Sequence, residues 1–224
     1  MEPQVRPLAT LYDLNTDLLL NCLEGLSDEE AQRRLEAGGN SITFLAEHLT
    51  DSRHFLVSRL GHTLVNPIAH YLADVRSMDD ITEWPSLEEI RSAWLGVSAH
   101  LQTVLDRLTP AELGEPTAQR FLAEDTTRLG MVAFLVQHDS YHLGQIGFIR
   151  RQLGKSPMSY ARPPRPTPAG VARAVVATIL PCAVAGAVRL PCGTANCSQC
   201  RGPVRHRGDE PAAHPWFVHS RGPE

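Results

Sequence analysis

The sequence predicts an all-α protein, a four-helix bundle followed by a C-terminal extension. Three observations lead there. Four stretches place apolar residues at three- and four-residue steps, the pattern that gives a helix one buried face. No window sustains the apolar-polar alternation of a half-buried strand, and no Asn-Gly or Asp-Gly pair joins two apolar runs. Near residue 160 the composition changes from that of a domain with a core to that of a tail.

The first helix is expected over about residues 8–26, where Leu8, Leu11, Tyr12, Leu18, Leu19, Cys22 and Leu26 share a stripe. Ser27-Asp28-Glu29-Glu30 has the form of a capping box and opens a short charged connector that Gly38-Gly39 ends. Asn40-Ser41 supplies the N-cap of a second long helix, Ile42 to Leu60, closed by Gly61 where a left-handed residue is expected. A third begins at Pro85-Ser86 and runs to about Leu108, where Thr109-Pro110 stops it, because a residue before proline is pushed out of helical conformation. After a loop with Gly114 and Pro116, Asp125-Thr126-Thr127 caps the fourth and longest helix, which ends at Leu153 before Gly154.

The formal net charge of −4 hides a division. Residues 1–162 carry 14 basic and 22 acidic groups, net −8, whereas residues 163–224 carry 7 and 3, net +4. An acidic body gives no broad nucleic-acid footprint, so nucleic acid is not an expected partner. The tail also holds ten of the seventeen prolines and four of the five cysteines, which places a boundary at 160/161: a bundle domain over residues 5–160 and a Pro/Arg/Cys-rich tail, expected to be disordered, over 161–224. The body's single Cys22 argues against a disulfide framework and for a reducing compartment. Residues 1–20 show no basic cluster followed by an apolar run, so no secretory signal is read and the cytoplasm is the expected location. Ala174 to Val188 is uncharged but only fifteen residues long, short for a membrane span.

Chemistry concentrates on the core stripe of the last helix: Met131, Leu135, His138, His142, Gln145, Ile149 and Leu153. The His138-x3-His142 spacing puts two imidazoles on one face about a turn apart, within reach of a single ion. His48, on the buried side of the second helix between Leu45 and Ser52, is the histidine that would join them. Three histidines leave coordination positions open, as a catalytic or ligand-binding metal requires. Imidazole nitrogens suit zinc first, with nickel or ferrous iron as the other choices. Asp51 and Asp139 are within reach as acceptors for ligating imidazoles, although a solvated helix face is the more economical expectation for both. His54, His62, His70 and His100 have no such pairing and are assigned to the surface or to loops.

Asn40-Ser41-Ile42 followed by His48-Leu49-Thr50-Asp51, and later His138-Asp139-Ser140-Tyr141-His142-Leu143-Gly144-Gln145-Ile146, resemble the paired signatures of the DinB-like family. The resemblance covers about residues 5–160. It implies an up-down-down-up four-helix bundle in which a divalent metal is bound by one histidine of the second helix and two of the last, here His48, His138 and His142. Relatives commonly carry a basic residue after the last histidine, where this chain has Leu143. The family further implies thiol-dependent transferases or isomerases that use a low-molecular-weight thiol on small electrophiles. Tyr141 and Gln145, from their placement beside the ligands in the sequence, are expected to position the second substrate or a metal-bound water. The thiol would be an added one, because Cys22 reads as a core residue and Ser52 and Ser140 lie inside helices rather than on a strained elbow. The competing reading is a stress-related, non-enzymatic bundle whose metal is structural or vestigial.

Exposed apolar residues on the first or third helix would support a homodimer. In the tail, Cys192-x4-Cys197-x2-Cys200 with His206 or His214 would compose a second zinc site, on a single unmatched Cys-x2-Cys pair.

Overall fold

A computed structural model of the chain describes residues 1–160 apart from 37, 74, 76–77 and 118–123. Four long helices, α1 (Arg6–Leu23), α3 (Ile42–Arg59), α4 (Leu87–Arg107) and α6 (Arg128–Gln152), alternate with two short ones, α2 (Asp28–Gln32) and α5 (Pro110–Leu113). Two turns of 3-10 helix, Ala69–Tyr71 and Met78–Asp80, lie in the crossover from α3 to α4. Among the described residues no strand forms, and an isolated bridge joins Pro116 to Thr127.

The helix ends follow the local chemistry. At α2 the Ser27 hydroxyl accepts from the Glu30 N–H at 3.1 Å while the Glu30 carboxylate accepts from the Ser27 N–H at 2.9 Å, closing the capping box. Ser86 and Glu89 repeat it at α4. Gly61 and Gly154 end α3 and α6 with φ of +87° and +77°, a region costly for any side chain. Thr109-Pro110, expected only as a stop, is also a start: Thr109 and Glu112 form a third capping box with Pro110 in the first turn of α5. The first helix is shorter than its apolar stripe suggests. It stops at Leu23, and Arg150 of α6 caps it by donating to the carbonyls of Cys22 at 2.9 Å and Glu24 at 2.6 Å. A guanidinium there offsets the partial negative charge of a helix C-terminus that has no basic residue in its own last turn.

Each long helix packs against two others, α1 on α4 and α6, and α3 on α4 and α6. Hydrogen bonds set the directions. Tyr12 donates to the Val132 carbonyl, Asn15 to that of Val136, and Arg150 to that of Cys22, so α1 and α6 run parallel. Gln102 reaches the Ala9 carbonyl, Trp94 that of Thr16 and Arg91 that of Leu23, so α4 runs against α1. Helix α3 runs against α6, with Leu45 near Ile149 and Arg53 bonded to Asp139. The order is therefore up-down-down-up, and the parallel neighbours α3 and α4 require the long crossover over residues 60–86.

The core is apolar and contiguous, with Leu19, Leu23, Ile42, Leu49, Leu56, Ile90, Trp94, Leu101 and Leu105 fully buried. Cys22 is part of it, as expected, and burial pushes its thiol up to about 11. Among the described residues no helix is long and apolar enough to cross a membrane. The tail's candidate zinc ligands Cys192, Cys197, Cys200, His206 and His214 lie outside the described residues.

Candidate metal centre

Two helix caps set the register of the site. The Ser41 hydroxyl accepts from the Phe44 N–H at 3.2 Å, which starts α3 and turns His48 to the buried face with Leu45 and Leu49. Thr127 caps α6 in the same way, and on that helix His138 and His142 lie one turn apart. The antiparallel pairing of α3 and α6 then brings the imidazoles together.

His48 Nε2 stands 3.1 Å from His138 Nε2, and His142 Nε2 stands 3.1 Å from the same atom. One ring nitrogen of each histidine lies within 4.8 Å of the other two. The rings meet edge to face, with centroids 4.4 to 5.0 Å apart, so that their nitrogens converge instead of stacking away from one another. Nitrogens about 2.0–2.1 Å from one zinc at tetrahedral angles stand about 3.3–3.4 Å apart. The two nitrogen pairs through His138, at 3.1 Å, come close to that spacing, and the third lies within 4.8 Å.

The site is set up for neutral imidazoles. Burial, then the neighbouring His48 and His142, depresses His138 to about 3. Burial also lowers His142, against a hydrogen bond to Gln145 that raises it. His142 Nδ1 lies 2.6 Å from Gln145 Oε1, and since an amide oxygen only accepts, Nδ1 carries the proton and Nε2 keeps its lone pair for the centre. Gln145 in turn donates to Tyr141 Oη at 3.4 Å, and the Tyr141 ring meets His142 at 5.1 Å between centroids. Phe44 lies parallel to the His48 ring one turn earlier on α3, at 6.2 Å. Tyr141 and Gln145 are thus neighbours of His142. Gln145 is half-buried at the mouth of a cavity rather than inside the core.

Two expectations about neighbouring residues are corrected. Asp139, assigned to a solvated face, is buried, and its Oδ2 accepts from Arg53 Nε at 2.9 Å with both side chains 1% exposed. The next residue, Ser140, accepts from Asn15 of α1, so this stretch of α6 is turned toward α1 and α3 on the sides that carry no imidazole. His54, assigned to the surface or a loop, is buried in α3, where its Nδ1 donates to the Thr50 carbonyl at 2.9 Å and burial lowers its pKa. Asp51 is half-buried and accepts from Asn66 at 3.2 Å. Leu143, the departure from the family pattern, is 1% exposed and serves the core.

Sequence reasoning missed Arg53. Its guanidinium donates to Thr16 at 2.8 Å, Ser98 at 2.5 Å and the Tyr12 carbonyl at 3.1 Å, and lies 3.6 Å over the Trp94 ring, in addition to pairing with Asp139. It touches all four long helices five residues after His48. The one sequence signal was an arginine in the apolar register of the second helix. Glu47 was missed too: it is buried next to His48 in sequence, both its oxygens lack hydrogen-bond partners, and burial together with Asp51 pushes it up to about 8.

A cavity of about 470 Å³ opens beside Gln145, between α6, the start of α3 and the segment that precedes it. Its volume is in the range of small-molecule sites.

The sequence matches the DinB superfamily over residues 11–146. No curated protein matches it. Among solved structures, a conserved protein from Enterococcus faecalis is similar, with a TM-score of 0.57 at 16% identity, over 69% of this chain and 99% of that one. A DinB-like protein from Bacillus cereus is similar with a TM-score of 0.54, also at 16% identity, over 69% of this chain and 96% of its own. At that identity the two structures speak for the fold, and the fold they share is the helical one described above. With the sequence match spanning more than half its length and three histidines converging between its second and last long helices, the chain belongs to the DinB superfamily.

Proposed function

We propose that the protein is a metal-dependent thiol transferase or isomerase, in which His48, His138 and His142 hold a divalent ion, zinc before nickel or iron. The convergence of three imidazole nitrogens, two of them 3.1 Å from the third, carries this reading. A divalent ion in such a site leaves positions open and lowers the pKa of a thiol that it coordinates, which makes a nucleophile near neutral pH.

The protein's own residues do the rest. Burial lowers the pKa of His138 and His142, which favours their neutral forms and so their lone pairs. Gln145 fixes the tautomer of His142, and with Tyr141 forms the polar edge past which a substrate enters from the cavity. Among the described residues Cys22 is the one cysteine, and its thiol is buried and pushed up to about 11, so the proposal takes the sulfur from a small-molecule thiol. In the transfer the thiol proton goes to water, the sulfur forms a bond to the electrophilic carbon, and the leaving group takes the electrons of the bond it breaks. A reducing, cytoplasmic setting is part of the proposal, since the thiol must stay unoxidised.

Elemental analysis of the purified protein tests the first half: about one divalent ion per chain is expected, lost in His138→Ala and His142→Ala. Protein that is metal-free and takes up neither zinc nor nickel would end the proposal. Cobalt substitution tests the second half. A visible spectrum that shifts on adding a low-molecular-weight thiol is the expected result. A chelator-sensitive melting temperature with a spectrum indifferent to thiols would instead assign the ion a structural role in a non-enzymatic bundle.

A further inference from the structure

The cavity beside Gln145 has a composition that specifies what enters it. Gly144 and Gln145 each lie three or four residues from both Tyr141 and Phe148, so the four share one face of α6. Gly144 contributes no side chain, and a Cβ built on it would meet no heavy atom within 4 Å. The helix backbone is therefore the floor of a slot. Tyr141 and Phe148 rise on either side of it, 58% and 61% exposed, an unusual position for two large aromatic side chains unless something covers them. Leu45 and Ile149, both buried, close the inner wall. The outer wall comes from Leu35, Glu36 and Asn40.

The charge of the slot is equally defined. Among the described residues, Glu36 is the one charged side chain that lines it. Arg34, which braces the same segment, is committed to the Gly39 carbonyl and to Asp79. A carboxylate with no lining cation repels anions and admits neutral or cationic groups.

We propose that this slot binds a flat, apolar, uncharged or cationic ring, laid over Gly144 between Tyr141 and Phe148. The ring is the body of the electrophile whose reactive carbon is presented to the three-histidine centre past Gln145. Aromatic side chains favour offset or edge contacts with such a ring. The assignment deepens the proposed function and rests on it for the reaction, but not for the binding.

Fluorescence titration with N-phenyl-1-naphthylamine and with 8-anilinonaphthalene-1-sulfonate, the same ring system carrying a sulfonate, tests this on the full chain. The uncharged dye is expected to saturate at about one site per chain and to bind about tenfold more tightly than the sulfonate. Glu36→Gln should narrow that difference. Gly144→Leu, which has space for its side chain and so should fold, is expected to abolish binding, and Phe148→Ala to weaken it several-fold. Equal binding of both dyes, or unchanged binding in Gly144→Leu, overturns the proposal. So does a dimer that excludes the dye and dissociates in Phe148→Ala, which would give this face to a second copy of the chain. His138→Ala separates the two readings: it should lose the metal and keep the dye. Dye binding in a protein that takes up no metal defeats the proposed function alone, and metal uptake without dye binding defeats this inference alone.

Discussion

Arg53 and Asp139 form an ion pair in the centre of the bundle, 2.9 Å between Nε and Oδ2, each side chain 1% exposed. The pair ties α3 to α6, the two helices that carry the histidines, and Asp139 follows His138 directly in the chain. The cost of burying it is visible on both partners: desolvation pushes Asp139 up to about 6 and lowers Arg53, in each case against the attraction of the other. The remaining donors of Arg53 are used on Thr16, Ser98 and the Tyr12 carbonyl. On the other side of the pair, Asp139 Oδ1 is buried with no hydrogen-bond partner among the described residues. Such a buried pair is costly to break from one side and much less costly to replace as a whole.

Arg53→Ala and Asp139→Asn are each expected to destabilise the fold by about 3–5 kcal/mol, because each strands a buried charge or its partners. Arg53→Met combined with Asp139→Leu should recover part of that loss. Urea denaturation of the three variants measures it. An additive double variant would show that the pair is not coupled.

Gln145 acts on the metal through His142. Gln145→Ala is expected to weaken zinc or cobalt binding about 10- to 100-fold, since Nδ1 of His142 loses the acceptor that fixes its tautomer. Gln145→Glu keeps an acceptor and should retain most of the affinity. Competition with a chromophoric chelator reads the difference, and equal affinity in all three proteins would remove Gln145 from the site.

His54 makes stability depend on pH. Burial lowers its folded-state pKa below the ordinary 6.5, with His100 lowering it further and Asp51 and the Thr50 carbonyl opposing. The unfolded chain therefore takes up a proton at this position before the folded chain does, and stability falls as pH drops below about 6.5. Urea midpoints measured from pH 7.5 to 5 should show that decline, reduced in His54→Gln. An identical slope in the variant would mean that His54 is protonated equally in both states.

Two glycines of α6 should respond in opposite ways to alanine. At Gly130 a Cβ would come within 2.1 Å of the Asp125 carbonyl oxygen, where the chain turns tightly into the helix, so Gly130→Ala should destabilise in spite of its better helix propensity. At Gly144 the space is open, and Gly144→Ala should stabilise by about 0.5–1 kcal/mol. Thermal melts of both decide it.

Cys22 should react with thiol reagents only through unfolding, because it is buried and its thiol is pushed up to about 11. Mass spectrometry of its peptide after timed alkylation should give a rate that rises with urea in step with the unfolded fraction.

The local steps of this fold were legible in the chain. Ser41, Ser86 and Thr127 cap the helices that follow them, as their positions before apolar-periodic runs indicate, Ser27 closes the capping box its Ser-x-x-Glu form announces, and Gly61 and Gly154 end α3 and α6. Such features are decided within a turn or two of helix, by hydrogen bonds between residues three or four apart. The His138-x3-His142 pair is legible for the same reason. Errors arose where a local signal carried two meanings, as at Thr109-Pro110, or where a polar residue's fate depended on a distant partner, as at His54 and Asp139.

What the chain by itself determined is the number of its long helices and the apolar stripe that each one turns inward. Which inward residues meet was decided only when α3 and α6 packed antiparallel. That contact spans some 90 residues of sequence, from His48 to His138, and no periodicity records it. It also gave Arg53 its partner and opened the slot over Gly144. A helix repeats every 3.6 residues and reads its own neighbours, whereas a site between helices is fixed by side-chain shape and charge across the gap.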